Sequence, residues 1–130
     1  MAPRSSGRPT DTELEILKVL WEQGPSTAGA VREVMARIRP IGYTTVQKML
    51  QIMTEKRLVS VDRSHRAHVF RPRESRSVVL GRMVSDLVRR ALDGSTPELL
   101  MHALEARPAK PEELEEMRRL VPELMSNAQI

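Results

Sequence analysis

Tyr43-Thr44-Thr45-Val46-Gln47-Lys48-Met49-Leu50-Gln51-Ile52-Met53-Thr54-Glu55-Lys56 has two unlike faces when wound at about 100° per residue. Val46, Met49, Leu50 and Met53 fall within one arc and need neighbouring helices to cover them. The opposite arc holds Thr44, Lys48, Gln51 and Glu55, with Thr45 and Gln47 at its edges. Any amphipathic helix turns polar residues outward, so the division alone favours nucleic acid only slightly. The residue types add to it: glutamine can bond adenine bidentately, lysine can donate to guanine O6 or N7, and threonine offers a hydroxyl or a methyl.

Upstream, two more helices are predicted. Thr10 and Glu13 have the spacing of a capping box, followed by Leu14, Leu17 and Trp21 with Ile16 and Leu20 beside them, and Gly24-Pro25 stops that helix. Ser26 or Thr27 caps the second, whose Val31, Val34, Met35 and Ile38 follow the helical period up to Arg39. Downstream the period becomes alternating. Val59 and Val61 read as one strand and Ala67 and Val69 as another, across a polar turn from Asp62 to Arg66, with Arg71-Pro72-Arg73 ending the sheet. Three helices and a hairpin are the parts of a winged helix-turn-helix, in which the third helix is the reader of the major groove. Arg63, His65 and Arg66 in the hairpin turn, with His68 beyond, suit a wing lying along phosphates. A solvated turn accounts for any one of them about as well.

The remainder reads as helix. Residues 74–92 place Leu80, Met83, Val84, Leu87 and Ala91 on one face, opposite Arg82, Asp86 and Arg89. Asp93-Gly94 breaks that helix. Ser95 and Glu98 form a second capping-box pattern for a short helix through Leu104, and Pro108 and Pro111 bracket the next turn. The last helix carries Leu114, Met117, Val121 and Leu124, a 3-4-3 spacing resembling a coiled-coil seam. Pro122 inside it is expected to kink it or end it early. These short helices have little mass of their own to cover such stripes, so a homodimer burying Leu80, Leu87, Leu114, Met117 and Leu124 is expected. At about 25 cal/mol per Å² of apolar surface, an interface of roughly 2,000 Å² would suffice. The alternative is packing back onto the winged part of the same chain.

The chain has 130 residues and a net charge of +4. Residues 1–73 hold 13 Lys or Arg against 7 acids, whereas 74–130 hold 8 against 10, so a basic half is joined to an acidic one. Basic halves attract polyanions through counterion release. Only three aromatics are present, Trp21, Tyr43 and Phe70, which argues against a stacking platform for single strands. With no cysteine, and with His102 far from His65 and His68, neither a disulfide nor a metal site is expected. No nucleophile–base–orienter set or glycine-rich phosphate loop is present, so no enzyme activity or cofactor is expected. Glu112, Glu113, Glu115 and Glu116 are first-turn complements to a helix dipole. The apolar runs reach three or four residues, too few to span a membrane, and the amino terminus lacks a signal-peptide core. A soluble cytoplasmic protein is expected, with a flexible basic arm at 1–9, a DNA-binding domain at 10–73 and a helical dimerisation domain at 74–130.

The segments Pro40-Ile41-Gly42-Tyr43-Thr44-Thr45-Val46, Lys48-Met49-Leu50, Lys56 before Leu58-Val59, and Arg66-Ala67-His68-Val69-Phe70-Arg71-Pro72 resemble the penicillinase-repressor family. That family includes the beta-lactamase and methicillin-resistance repressors. Glu13-Leu14-Glu15-Ile16-Leu17 with Leu20-Trp21 fits its first helix, and Gly94-Ser95 and Pro111-Glu112-Glu113-Leu114-Glu115-Glu116 fit its tail, so the resemblance runs collinearly over residues 10–124. It implies a mainly α chain with a two- or three-stranded antiparallel wing, dimeric through its carboxy-terminal helices and bound as a repressor to palindromic double-stranded operator DNA. The family's contacts carry over to Thr44, Thr45, Gln47, Lys48 and Gln51 on the helix and Arg63 and Arg66 on the wing. Its dimer region corresponds to Leu80, Met83, Val84, Leu87, Leu114, Met117, Val121 and Leu124. The resemblance also implies a signal-activated protease as inducing partner, although His102-Ala103 stands where members have the cleaved Asn-Phe pair. Arg57 and His65 stand where the family has glycine, Lys110 where it has a serine or threonine cap, and the Cys-x-Cys tail of the copper-responsive relatives is absent. A winged-helix module that binds protein without specific DNA recognition is the other reading.

Overall fold

Six helices and three short strands follow one another in the computed structural model, which describes residues 8–128. They are α1 (Asp11–Gln23), β1 (Ser26–Thr27), α2 (Ala28–Ala36), α3 (Tyr43–Glu55), β2 (Val59–Asp62), β3 (Val69–Pro72), α4 (Arg76–Ala91), α5 (Thr96–Ala106) and α6 (Pro111–Ala128). Most of the arm expected at 1–9 lies outside the described residues.

Local chemistry accounts for where the first helices begin. Glu13 N–H donates to Thr10 Oγ1 at 3.2 Å and Thr10 N–H to Glu13 Oε1 at 2.9 Å, completing the expected capping box. Thr27, rather than Ser26, caps α2 by accepting from Ala30 N–H at 3.1 Å. The buried residues of α1 are Glu13, Ile16, Leu17, Val19 and Leu20, whereas Leu14 and Trp21, expected on the same face, are half-buried beside them. Trp21 uses its indole N–H on the Glu74 carbonyl at 3.0 Å. The second helix ends at Ala36, not at Arg39. Arg37 and Ile38 donate to Val34 and Met35, three residues back, and this tighter winding turns Ile38 off the buried face to 72% exposure.

The sheet is antiparallel in the order β1-β3-β2. Its second hairpin strand lies further along than expected: Ala67 is in the turn, and Arg71 and Pro72 pair with Ser60 and Val59. Phe70, paired with Val61, is therefore the inward residue, because a strand's faces alternate at every position. Val46, Leu50 and Met53 are fully buried against Ile16, Leu17, Leu20, Val31 and Met35, with Leu58, Val59 and Phe70 closing the core. Three helices and this sheet make a winged helix-turn-helix.

α3 ends in a Schellman turn. Leu58 N–H donates to the Met53 carbonyl at 2.9 Å and Arg57 N–H to the Thr54 carbonyl at 3.1 Å, with Arg57 at φ 66°. Lys56 beside it reaches α1: its Nζ lies 2.7 Å from Oε1 of Glu13, whose side chain is only 4% exposed. Glu13 thus caps α1 and neutralises a cation at the end of α3, where the helix dipole favours positive charge. Leaving that carboxylate buried and unpaired would cost several kcal/mol.

The described residues divide into two compact units between Val84 and Ser85, inside α4. All fourteen buried apolar residues precede the division. In the second unit Ser95 Oγ accepts from Glu98 N–H at 3.1 Å, but the reciprocal half of the expected capping box is not made. Ser95 N–H goes to the Leu92 carbonyl instead, and Glu98 faces His102 at 3.7 Å. α5 continues to Ala106, beyond the expected Leu104. α6 runs on through Pro122 to Ala128 rather than ending early, and Lys110 serves its start by donating its backbone N–H to Glu113 Oε1 at 2.9 Å.

Candidate nucleic-acid interface

With Val46, Leu50 and Met53 fixed in the core, α3 must turn its other face away from α1 and α2. That face and the wing bound a cleft of about 700 Å³. Thr44, Gln47, Lys48 and Gln51 line it from the helix, and Arg63 and Arg66 line it from the wing. Six of the seven residues expected to meet DNA therefore come together. Thr45 is exposed but does not line the cleft, because it stands 100° around the helix from Thr44.

Three cations enter this space, Lys48, Arg63 and Arg66, and none of them has a hydrogen bond or ion pair among the described residues. Elsewhere arginines are engaged, as Arg39 is with Glu15 at 2.7 Å and Arg82 with Glu74 at 2.6 Å. The Arg82 guanidinium holds the Glu74 carboxyl below its ordinary value. The wing turn is closed by Asp62, whose Oδ1 accepts from the Ser64 hydroxyl at 2.7 Å and the Ser64 N–H at 2.9 Å. Those two bonds hold the Asp62 carboxyl below its ordinary value, hydroxyl first, with His65 and Arg71 adding a smaller push in the same direction. The start of the wing is thus ordered by a local turn, while its arginines stay uncommitted.

Several lining residues were not singled out from sequence. Tyr43, Thr54 and Glu55 come from α3, and Thr27, Ala28 and Gly29 from the start of α2, while His68, read with the wing from sequence, also lines the cleft. Glu55 carried a usable signal, since it lies four residues beyond Gln51 on the outward arc. The start of α2 carried none, because only the folded chain brings it beside α3.

The apolar stripes of α4 and α6 are largely exposed. Val84, Leu87, Leu114, Val121 and Leu124 are 37–55% exposed, and Leu80, Met83 and Met117 are half-buried. Leu80, Met83, Val84 and Leu87 share one face of α4 by their spacing, and Leu114, Met117, Val121 and Leu124 share one face of α6. α5 and α6 have no buried residue. No helix among the described residues is long and apolar enough to cross a membrane.

Comparison with known proteins agrees with this architecture. The family model described as penicillinase repressor matches residues 9–123. The transcriptional regulator BlaI of Mycobacterium tuberculosis, from strains CDC 1551 / Oshkosh and ATCC 25618 / H37Rv, is 34% identical over 116 residues, which is 88% of this chain and 83% of the relative. A match that spans both the winged core and the helical tail places the whole architecture in one lineage: the chain belongs to the penicillinase-repressor family.

Proposed function

We propose that this protein is a cytoplasmic, homodimeric repressor that binds a palindromic DNA operator, with no catalytic activity. The observation that carries the reading is the cleft in which Thr44, Gln47, Lys48 and Gln51 share one space with the unpaired Arg63 and Arg66. The helix residues supply the donors and acceptors that distinguish base edges, and the wing arginines supply charge that neutralises phosphate. Thr45, beside the cleft, is proposed as a backbone contact at its margin. Residues 10–73 act as the DNA-binding domain and 74–130 as the dimerisation domain, through Leu80, Met83, Val84, Leu87, Leu114, Met117, Val121 and Leu124. The apolar stripes on one face of α4 and one face of α6 support this reading. A dimer sets two reading helices against successive major grooves, which a palindrome matches. A signal-activated protease is the proposed inducing partner. It would need a bond other than an Asn-Phe pair, since His102-Ala103 occupies the corresponding place in α5.

Fluorescence anisotropy tests the reading, using duplexes that the protein retains from a random pool. Affinity should fall steeply between 50 and 200 mM salt, by roughly 10³-fold for a protein with several phosphate contacts, while a preference for one palindrome persists. Lys48→Ala should weaken binding to that palindrome by about tenfold and leave the protein dimeric. If no duplex exceeds random DNA, the repressor reading is wrong and the protein-interaction module takes its place.

A further inference from the structure

Glu55 is the one acidic residue lining the cleft, among Lys48, Arg63, Arg66 and His68. Two features make it unexpected there. It is the last residue of α3, where the dipole disfavours negative charge, and the adjacent C-cap Lys56 is already engaged by Glu13. It is exposed and makes no hydrogen bond or ion pair among the described residues, although three unpaired cations line the same cleft. Glu13, at the other end of the Lys56 contact, shows what a structural acid looks like in this chain: buried and paired. Glu55 has no such structural partner.

We infer that Glu55 is a specificity-determining residue of the proposed DNA interface. It follows Thr44, Gln47 or Lys48, and Gln51 along one line of α3, each about one turn from the next. A carboxylate only accepts hydrogen bonds, so it is compatible with a base edge that offers a donor, such as cytosine N4. Opposite guanine O6 and N7, thymine O4 or a phosphate it meets negative charge with negative charge. Arg63 and Arg66 attract every duplex alike through phosphate, and Glu55 penalises all registers except the one that presents a donor. Its role is to lower binding to the wrong DNA more than to the right DNA.

This inference rests on the proposed function, and one experiment separates the two. Wild type, Glu55→Gln and Glu22→Gln are compared by anisotropy on the palindrome selected by wild type and on a random-sequence duplex. Glu22 is an exposed acid on α1 outside the cleft, so its variant changes net charge equally. Glu55→Gln is expected to bind random duplex more tightly and to lower the palindrome-to-random affinity ratio about fivefold or more, while Glu22→Gln leaves the ratio within twofold. An unchanged ratio in Glu55→Gln, or an equal fall in both variants, overturns the role of Glu55 while wild-type preference still stands. A wild-type protein that itself prefers no duplex overturns the proposed function, and with it this role. Thermal melting of all three proteins checks that the ratios compare folded states.

Discussion

Arg57 holds the end of α3 in a conformation that side chains resist. Its φ of 66° lets Arg57 and Leu58 cap the Thr54 and Met53 carbonyls, and it turns the chain sharply from the reading helix into β2. A non-glycine residue there costs about 1 kcal/mol. The gain is that Leu58, buried, lands against the end of the core that holds Met53. Arg57→Gly should therefore change stability little, raising it by at most about 0.5 kcal/mol, the strain relieved less the entropy of a freer unfolded chain. Urea melts of the two proteins measure this directly. A destabilised Arg57→Gly would mean that the arginine side chain itself contributes more than its backbone strain costs.

The elements differ in how plainly the sequence displayed them. α3 was legible in full, because Val46, Leu50 and Met53 sit on one arc and each is fully buried. β1 was not, because two residues are too short to show alternation and acquire strand geometry only by pairing with Val69 and Phe70. β3 was placed early because Ala67 and Val69 alternate as well as Phe70 does, and only pairing with β2 selects among registers. The Glu13–Lys56 pair joins residues 43 positions apart, beyond any local pattern. The cleft was half legible: one helix face shows in a sequence, whereas its alignment with the wing depends on tertiary packing. α6 is the element in which local chemistry and observed structure conflict most. Pro122 leaves the Arg118 carbonyl without its helical donor, yet the helix continues for six further residues. Pro122→Ala should then lengthen the stable part of α6 and stabilise the protein by about 1–3 kcal/mol, read as higher helicity and a higher melting temperature. A lower melting temperature would show that the proline's own packing holds the helix.

Across the whole molecule, burial and charge are distributed along the same line. Among the described residues every buried apolar side chain lies before Ser85, in the part of the chain that carries the excess of positive charge. The residues beyond it are acidic overall and bury nothing by themselves. Folding of the proposed reading unit is therefore expected not to depend on the tail, whereas tight operator binding in the proposed dimer is expected to. Linking two half-site readers makes the second contact intramolecular, which multiplies affinity by about 10²–10⁴ without any new contact. A protein truncated after Asp93 keeps the entire buried core and the cleft. It should melt within a few degrees of the full chain, sediment as a monomer, and bind the selected palindrome at least about 100-fold more weakly. Its binding to a single half-site should be unchanged, since the Thr44–Gln51 face and the wing arginines are intact. Sedimentation velocity and anisotropy on whole and half operators distinguish these quantities. A truncated protein that still dimerises would move the interface out of α5 and α6 and onto α4 or the winged part. A monomer that loses half-site binding as well would mean that the tail orders the reader.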